Sequence, residues 1–444
     1  MHGPEAIGLN SHPRSQLANT RCYPPRMPIV VQKYGGTSVG DTDRIRGVAD
    51  RIVRAREQGQ DVVVVVSAMG ETTDDLLDKA SDITPVPEPR ELDMLLTAGE
   101  RIAMSLLAIA VNARGCRAAS YTGSQAGIIT DTQHGKARIV EIRPTRIKES
   151  LDAGNVVILA GFQGLSTEYD ITTLGRGGSD TTAVAMAAAL GADVCEIYTD
   201  VDGVFTADPR THPEARRIDH ISYEEMLELA AAGARVLQLR CVEYARRHGV
   251  RIHVRNSLGE QPGTWVSEDG EGEEDSTGML ESALIRGVAL DVEEAKVTLD
   301  EVPDRPGIAA AIFKAVAAEG IHVDMIVQNV SHDGRTDLSF TIPRADLHRL
   351  DAVLEGIVTD VGALRYETDD AIAKLSLVGA GIKSNPGVAA DMFDALAAEG
   401  INIDMISTSS IRISCVIRAE DADRAVRAVH QRFGLDGATL GEEA

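Results

Sequence analysis

The chain has 444 residues, enough for two or three domains, and its 43 % hydrophobic and 25 % charged content is the profile of a soluble globular protein. With 44 basic against 68 acidic residues the net charge is −24, which argues against binding nucleic-acid backbone or an anionic membrane. Aromatics reach only 3 %, too few for stacking on single-stranded nucleic acid, and no apolar run reads as a membrane-spanning helix of about 20 residues.

Residues 1–26 carry Pro4, Pro13, Pro24 and Pro25 without hydrophobic periodicity, and read as a disordered extension. From Met27 strand and helix patterns alternate. Ile29-Val30-Val31 begins a strand that ends at Gly35-Gly36, and Asp43–Gln58 is an amphipathic helix. Asp61–Val66 is a β-branched run expected to be a strand buried on both faces. Leu92–Arg114 is a long helix, Val156–Ala160 a second buried strand, Asp180–Leu190 an Ala-rich helix and Val194–Thr199 a further strand. This alternation predicts a mostly parallel sheet with helices on both faces, spanning 27–266.

Residues 267–283 are acidic, with Glu268, Asp269, Glu271, Glu273, Glu274 and Asp275 among Gly and Ser, and read as a solvated linker. Beyond it the sequence repeats with a shift of 80 residues: Pro306–Ala310 matches Pro386–Ala390, Ala317–Ile321 matches Ala397–Ile401, and Asp324–Ile326 matches Asp404–Ile406. Each copy reads as a βαββαβ unit, at 284–363 and 364–444, with the strand near 284–291 free to pack with either.

The five cysteines, Cys22, Cys116, Cys195, Cys241 and Cys415, lie far apart without a CxxC, as expected of reduced, mostly buried thiols in the cytoplasm. The eleven histidines form neither HxxxH nor HExxH, so no zinc site is expected.

Five segments carry chemistry. Lys33-Tyr34-Gly35-Gly36-Thr37-Ser38 follows a strand and precedes a helix. Its glycines allow close backbone approach, and the helix start favours an anion; it is either a phosphate loop or a tight turn with a surface lysine. In Thr172–Asp180, Gly175, Gly177 and Gly178 flank Arg176 before Ser179 and Asp180. Either Ser179 or Asp180 makes a good helix cap, but a cap needs no arginine, whose planar fork suits a carboxylate. Thr199–Arg210 follows a strand, where open α/β sheets bind ligands, and its Asp-x-Asp-Gly lacks the glutamate of a calcium loop. Ser67–Thr73 leaves the valine strand, and Leu95–Arg101 holds a helical Glu-Arg pair.

Together Lys33–Ser38, Ser67–Thr73, Leu95–Glu100, Gly161–Gly164, Thr173–Asp180, Thr199–Arg210 and the Pro-Gly repeats closely resemble aspartate kinases of the amino-acid-kinase family, from about Met27 to Phe433. The sequence looks most like the lysine-plus-threonine-regulated actinobacterial type. The resemblance implies an α/β amino-acid-kinase fold followed by two ferredoxin-like ACT domains. It implies phosphorylation of the L-aspartate side chain by ATP with Mg²⁺, opening lysine, threonine, methionine and isoleucine synthesis. A catalytically silent amino-acid sensor and a kinase acting on glutamate or acetylglutamate are the alternatives.

Residue by residue, the family match makes Lys33 and Asp180 catalytic. It assigns Lys33, Tyr34, Gly35, Gly36, Ser67, Thr199, Asp200, Phe205, Asp208, Arg210 and Arg235 to ATP, and Thr73, Glu100, Phe162, Arg176 and Ser179 to aspartate. No residue is assigned as a metal ligand. Arg235 stands where many relatives carry lysine, which keeps the charge but changes its reach. Effector contacts are expected at Asp304, Pro306, Gly307, Ala309, Gln328 and Asn329, and at Ser384, Asn402, Ile403 and Asp404. Lysine and threonine are the expected effectors, with homo-oligomers formed through the ACT units. Met279 offers an internal start for a separate regulatory subunit.

Overall fold

The computed structural model describes residues 27–268, 285–329 and 333–436. The expected extension over 1–26, the acidic stretch Asp269–Asp275 and Met279 lie outside the described residues.

Val62, Val63, Val64, Val65 and Val66 are all fully buried, each worth about 1.5–3 kcal/mol of apolar burial. Their strand, Asp61–Val66, lies in an eight-stranded sheet. The order is His220–Ser222, Thr264–Ser267, Ile252–Asn256, Val194–Thr199, Ile29–Tyr34, Asp61–Val66, Val156–Ala160, Ala118–Tyr121. All neighbours are parallel except Ile252–Asn256 against Thr264–Ser267. Helices Thr42–Glu57 and Pro89–Asn112 cover one face, around Ile52, Leu107 and Val111. Helices Gly178–Leu190, Tyr223–Ala231 and Leu239–His248 cover the other, around Val184, Met226 and Val242.

Two features depart from the sequence expectation. Pro89–Asn112 is long and apolar enough to cross a membrane, but half of its most apolar window is buried in the protein and it carries buried Asp93 and Glu100. It is a core helix, packed on Asp61–Val66, Val156–Ala160 and Ala118–Tyr121 of this sheet and on Ile171–Thr173. A second, four-stranded sheet, in the order Ile139–Ile142, Ile128–Thr130, Gln163–Ser166, Ile171–Thr173, has strands of three or four residues, too short to leave a period in the sequence.

The repeats fold as two four-stranded sheets backed by helices. The first has the order Ile326–Gln328, Arg335–Pro343, Glu294–Pro303, Arg365–Asp369. The second has Gly287–Asp291, Ile372–Val378, Arg412–Arg418, Met405–Thr408. The strand at 287–291 therefore packs with the second unit, antiparallel to Ile372–Val378, although it precedes the first unit in the chain. The repeated Asp-Met-Ile triplets form the junction between units: Asp324 meets Lys374 at 2.5 Å, Asp404 meets Lys296 at 3.2 Å, and Met325 and Met405 share one apolar cluster.

Candidate active site

Lys33 sits at the carboxyl end of a central strand, and side chains alternate along a strand. It therefore points opposite to Tyr34, which is fully buried, stacked on Tyr198 at 4.7 Å and bonded to Gln32. Lys33 Nζ reaches Asp180 Oδ1 at 2.6 Å, in the first turn of Gly178–Leu190. That helix is sheathed on all sides, with Gly178 through Ala187 buried, so Asp180 is held by packing. The adjoining backbone is tight. A Cβ on Gly36 would lie 2.9 Å from the Ala68 carbonyl oxygen, and Gly70 N–H donates to Gly36 O at 3.1 Å. Gly36→Ala is expected to push the Lys33–Ser38 loop off Ala68 and to lower kcat at least tenfold with an unchanged circular dichroism spectrum.

Two cavities meet here. One, of about 380 Å³, is lined by Lys33, Gly36, Ser67, Thr73, Glu100, Phe162, Arg176, Ser179 and Asp180. The other, of about 420 Å³, is lined by Asp200, Phe205, Asp208 and Arg210. Thr199 and Arg235 line both, so the two are contiguous.

Glu100 is 3 % exposed. Its Oε1 accepts from Ala68 N–H at 3.1 Å, and its Oε2 is buried without a hydrogen-bond partner among the described residues. Burial pushes this carboxyl up to about 7, against the opposing backbone hydrogen bonds. Arg176 is exposed and has no ion-pair partner among the described residues. Phe162 adopts φ = 68°, which costs a non-glycine residue about 1–2 kcal/mol. Thr182 Oγ1 accepts from its N–H at 3.2 Å, and its carbonyl accepts from Leu174 N–H at 2.9 Å, so the strain is held from both sides.

Most expected substrate residues thus converge. Tyr34 and Gly35 are the exceptions: neither lines a cavity, Tyr34 because of strand alternation and Gly35 because its N–H turns to Tyr198 O at 3.3 Å. Tyr34 instead supports the strand from beneath. Arg235 is exposed, 3.6 Å from Glu293. The effector candidates line neither cavity. Asp304, Pro306, Gly307 and Ala309 flank the start of helix Ile308–Ala318, and Gln328 and Asn329 end a sheet-edge strand. Ser384 precedes helix Gly387–Ala398; Asn402, Ile403 and Asp404 precede the edge strand Met405–Thr408, and Asp404 is engaged by Lys296.

Two groups escaped the sequence reading. Asp93, buried in Pro89–Asn112, accepts from Thr173 Oγ1 and Gly135 N–H and meets His134 Nδ1 at 2.7 Å, which anchors the strand leading to Gly175–Gly178. His212, His430 and Asp436 gather although His212 and Asp436 are 224 residues apart, a separation no motif spacing reveals.

Residues 28–256 match the amino acid kinase family, and 296–357 and 375–433 each match an ACT domain. The chain is 56 % identical over 414 residues to an aspartokinase of Mycolicibacterium smegmatis, covering 93 % of this chain and 97 % of that one. The chain belongs to the aspartokinases of the amino acid kinase family. Among solved structures it resembles Escherichia coli aspartokinase III in complex with aspartate and ADP, with a TM-score of 0.76, 26 % identity, and 91 % and 99 % of the two chains covered. The same enzyme in complex with lysine and aspartate aligns with a TM-score of 0.69 at 26 % identity, covering 91 % of this chain and 99 % of that one. Family membership fits both halves of the structure, a kinase sheet followed by paired ACT units.

Proposed function

We propose that the chain transfers the γ-phosphoryl group of ATP to the side-chain carboxylate of L-aspartate, giving ADP and 4-phospho-L-aspartate. The observation that carries this reading is one cavity holding an unpartnered buried carboxylate oxygen, on Glu100, and an unpaired guanidinium, on Arg176, beside the Lys33–Asp180 pair. Glu100 takes the ammonium of a free amino acid and Arg176 its α-carboxylate, with Thr73, Phe162 and Ser179 completing the pocket. The adjoining cavity takes the nucleotide, at Thr199, Asp200, Phe205, Asp208, Arg210 and Arg235, with Gly36 and Ser67 close to the phosphates.

The nucleophile is a carboxylate with an ordinary pKa of about 3.9, already ionised at neutral pH. No proton needs removal, and the barrier lies in bringing two anions together in line. Lys33 neutralises charge on the transferring group, and Asp180, 2.6 Å away, aims Lys33 rather than acting as a base. Asp180, the carboxylate beside Lys33, would hold Mg²⁺ together with the ATP phosphates. The ion supplies further charge neutralisation.

The product opens lysine, threonine, methionine and isoleucine synthesis in the cytoplasm, and lysine and threonine act back through the Pro-Gly turns of the repeats. Ile326 and Ile406, 51 % and 44 % exposed, occupy equivalent sheet-edge positions and suit homo-oligomer formation by edge pairing. Met279 allows a separately initiated regulatory subunit.

The test is acyl phosphate formation trapped with hydroxylamine, comparing aspartate, glutamate and acetylglutamate, each with and without lysine plus threonine. Hydroxamate from aspartate alone, suppressed by the effectors, is expected. Product from another acid, or none from folded protein, would overturn the assignment, the latter in favour of a silent sensor.

A further inference from the structure

The cavity assigned to the nucleotide is not closed by the kinase unit alone. Val288, Leu290 and Glu293, on and just after the outer strand of the second regulatory unit, line it, as do Asp423 and Val426 of that unit's last helix, Ala422–Arg432. The kinase loop on the opposite side is built into the same unit. Its Ala207 and Ala215 belong to the regulatory core. Val288 N–H donates to Thr206 O at 2.7 Å, and a Cβ on Gly287 would lie 2.7 Å from that oxygen. The two backbones are therefore at their closest possible approach.

Behind this loop is a polar tie of two buried histidines and the partly exposed Asp436. His212, from the kinase loop, and His430, from the last regulatory helix, are 1 % and 0 % exposed, with ring centroids 4.2 Å apart. His212 Nε2 and His430 Nδ1 meet the same oxygen, Asp436 Oδ1, at 2.7 and 2.9 Å. The other nitrogen of His430 meets Thr206 Oγ1 at 2.8 Å, and Arg216 N–H donates to that hydroxyl at 2.9 Å. In a consistent proton arrangement both imidazoles donate to Asp436 and Thr206 donates to His430 Nε2, which leaves His212 Nδ1, 3.8 Å from Glu214, without a hydrogen bond among the described residues. The trio has the make-up of a metal site, but zinc ligands at about 2.0–2.1 Å in a tetrahedron stand roughly 3.3 Å apart. The observed spacings are those of hydrogen bonds.

We infer that His212, His430 and Asp436 are positioning residues for the nucleotide: they hold the Thr206–Ala215 loop against the second regulatory unit, so ATP affinity depends on how that unit is seated. This rests on the nucleotide reading of the cavity. None of the three lines either substrate cavity. Removing the tie therefore changes the fit of one substrate and leaves the aspartate pocket alone.

The experiment compares wild type with Asp436→Ala and Asp436→Asn in the full chain, measuring KM for ATP, KM for aspartate and kcat, with ADP affinity by calorimetry. Asp436→Ala is expected to raise KM for ATP and the ADP Kd about fivefold, with KM for aspartate and kcat within twofold. Asp436→Asn keeps an acceptor oxygen and is expected to stay within twofold of wild type throughout. Equal changes in both KM values, unchanged ADP affinity in an active Asp436→Ala, or a stoichiometric zinc ion lost on that substitution would each overturn the inference. A wild type without aspartate kinase activity would instead count against the functional reading on which it rests.

Discussion

Lys33→Ala is expected to lower kcat about a thousandfold, the scale seen when a preorganised charge on a transition state is removed. Lys33 Nζ is the cation placed against Asp180 where the two cavities meet, and its side chain is only 12 % exposed. Water cannot replace a charge held there at no reorganisation cost. Lys33→Arg is not expected to restore activity, because a guanidinium cannot occupy the space of an ammonium 2.6 Å from Asp180 Oδ1. Asp180→Asn removes both roles open to Asp180, the orienting charge and the base. It keeps the shape but loses the charge that aims Lys33, and a fall of about a hundredfold is expected. Nearly full activity in Asp180→Asn would overturn either role. The readout is single-turnover hydroxamate formation with both substrates saturating.

Glu100→Gln carries the second large effect, on substrate affinity. Removing one partner of a buried ion pair costs about 3–5 kcal/mol, so KM for aspartate is expected to rise a hundredfold or more while KM for ATP holds. The wild-type pH profile reports the same group. With its carboxyl at about 7 in the ligand-free protein, Glu100 is neutral below that pH and cannot hold an ammonium. kcat/KM for aspartate should therefore level off above pH 7 and fall towards tenfold per unit below it. The stability sign runs the other way. A carboxyl raised on folding costs the ligand-free fold stability as pH rises from about 4.5 to 7, and the penalty is complete above 7. Glu100→Gln removes that penalty, so its Tm at pH 8 without ligand should be no lower than wild type. A flat pH profile, or a Tm loss that tracks the affinity loss, would refute the role.

The sequence announced the kinase sheet through local signals. The valine run 62–66 is buried strand because nothing in it can face water. The loops of Lys33 and Asp180 were legible because glycines and helix starts mark them, and the 80-residue repeat exposed both ACT units. What stayed hidden depends on partners remote in the chain. Strand Gly287–Asp291 has no local mark of its partner Ile372–Val378. The Asp-Met-Ile triplets were visible as repetition, but their reciprocal pairing with Lys374 and Lys296 is a property of two folded surfaces. The burial of the Tyr34 ring was hidden because a motif gives neighbours in sequence, whereas a strand sends neighbouring side chains to opposite faces.

The position of Gly287–Asp291 makes the first repeat a cassette. The second unit is split in the chain yet whole in space, and the first is looped out between two neighbouring strands, the edge strand Gly287–Asp291 and Ile372–Val378. The ends of that loop lie side by side, since Lys296 pairs with Asp369, and Asp291 pairs with Lys374. A short turn from Asp291 to Ile372 would therefore excise one repeat and leave the other's sheet complete. A cut at the boundary the repeat suggests, near residue 364, does the opposite: it strips a strand from Ile372–Val378 and leaves seven buried residues as a raw edge, the kind that recruits stray strands. Modular evolution and protein engineering meet the same rule here, in which the first repeat is portable and the second is indivisible from the strand that precedes both.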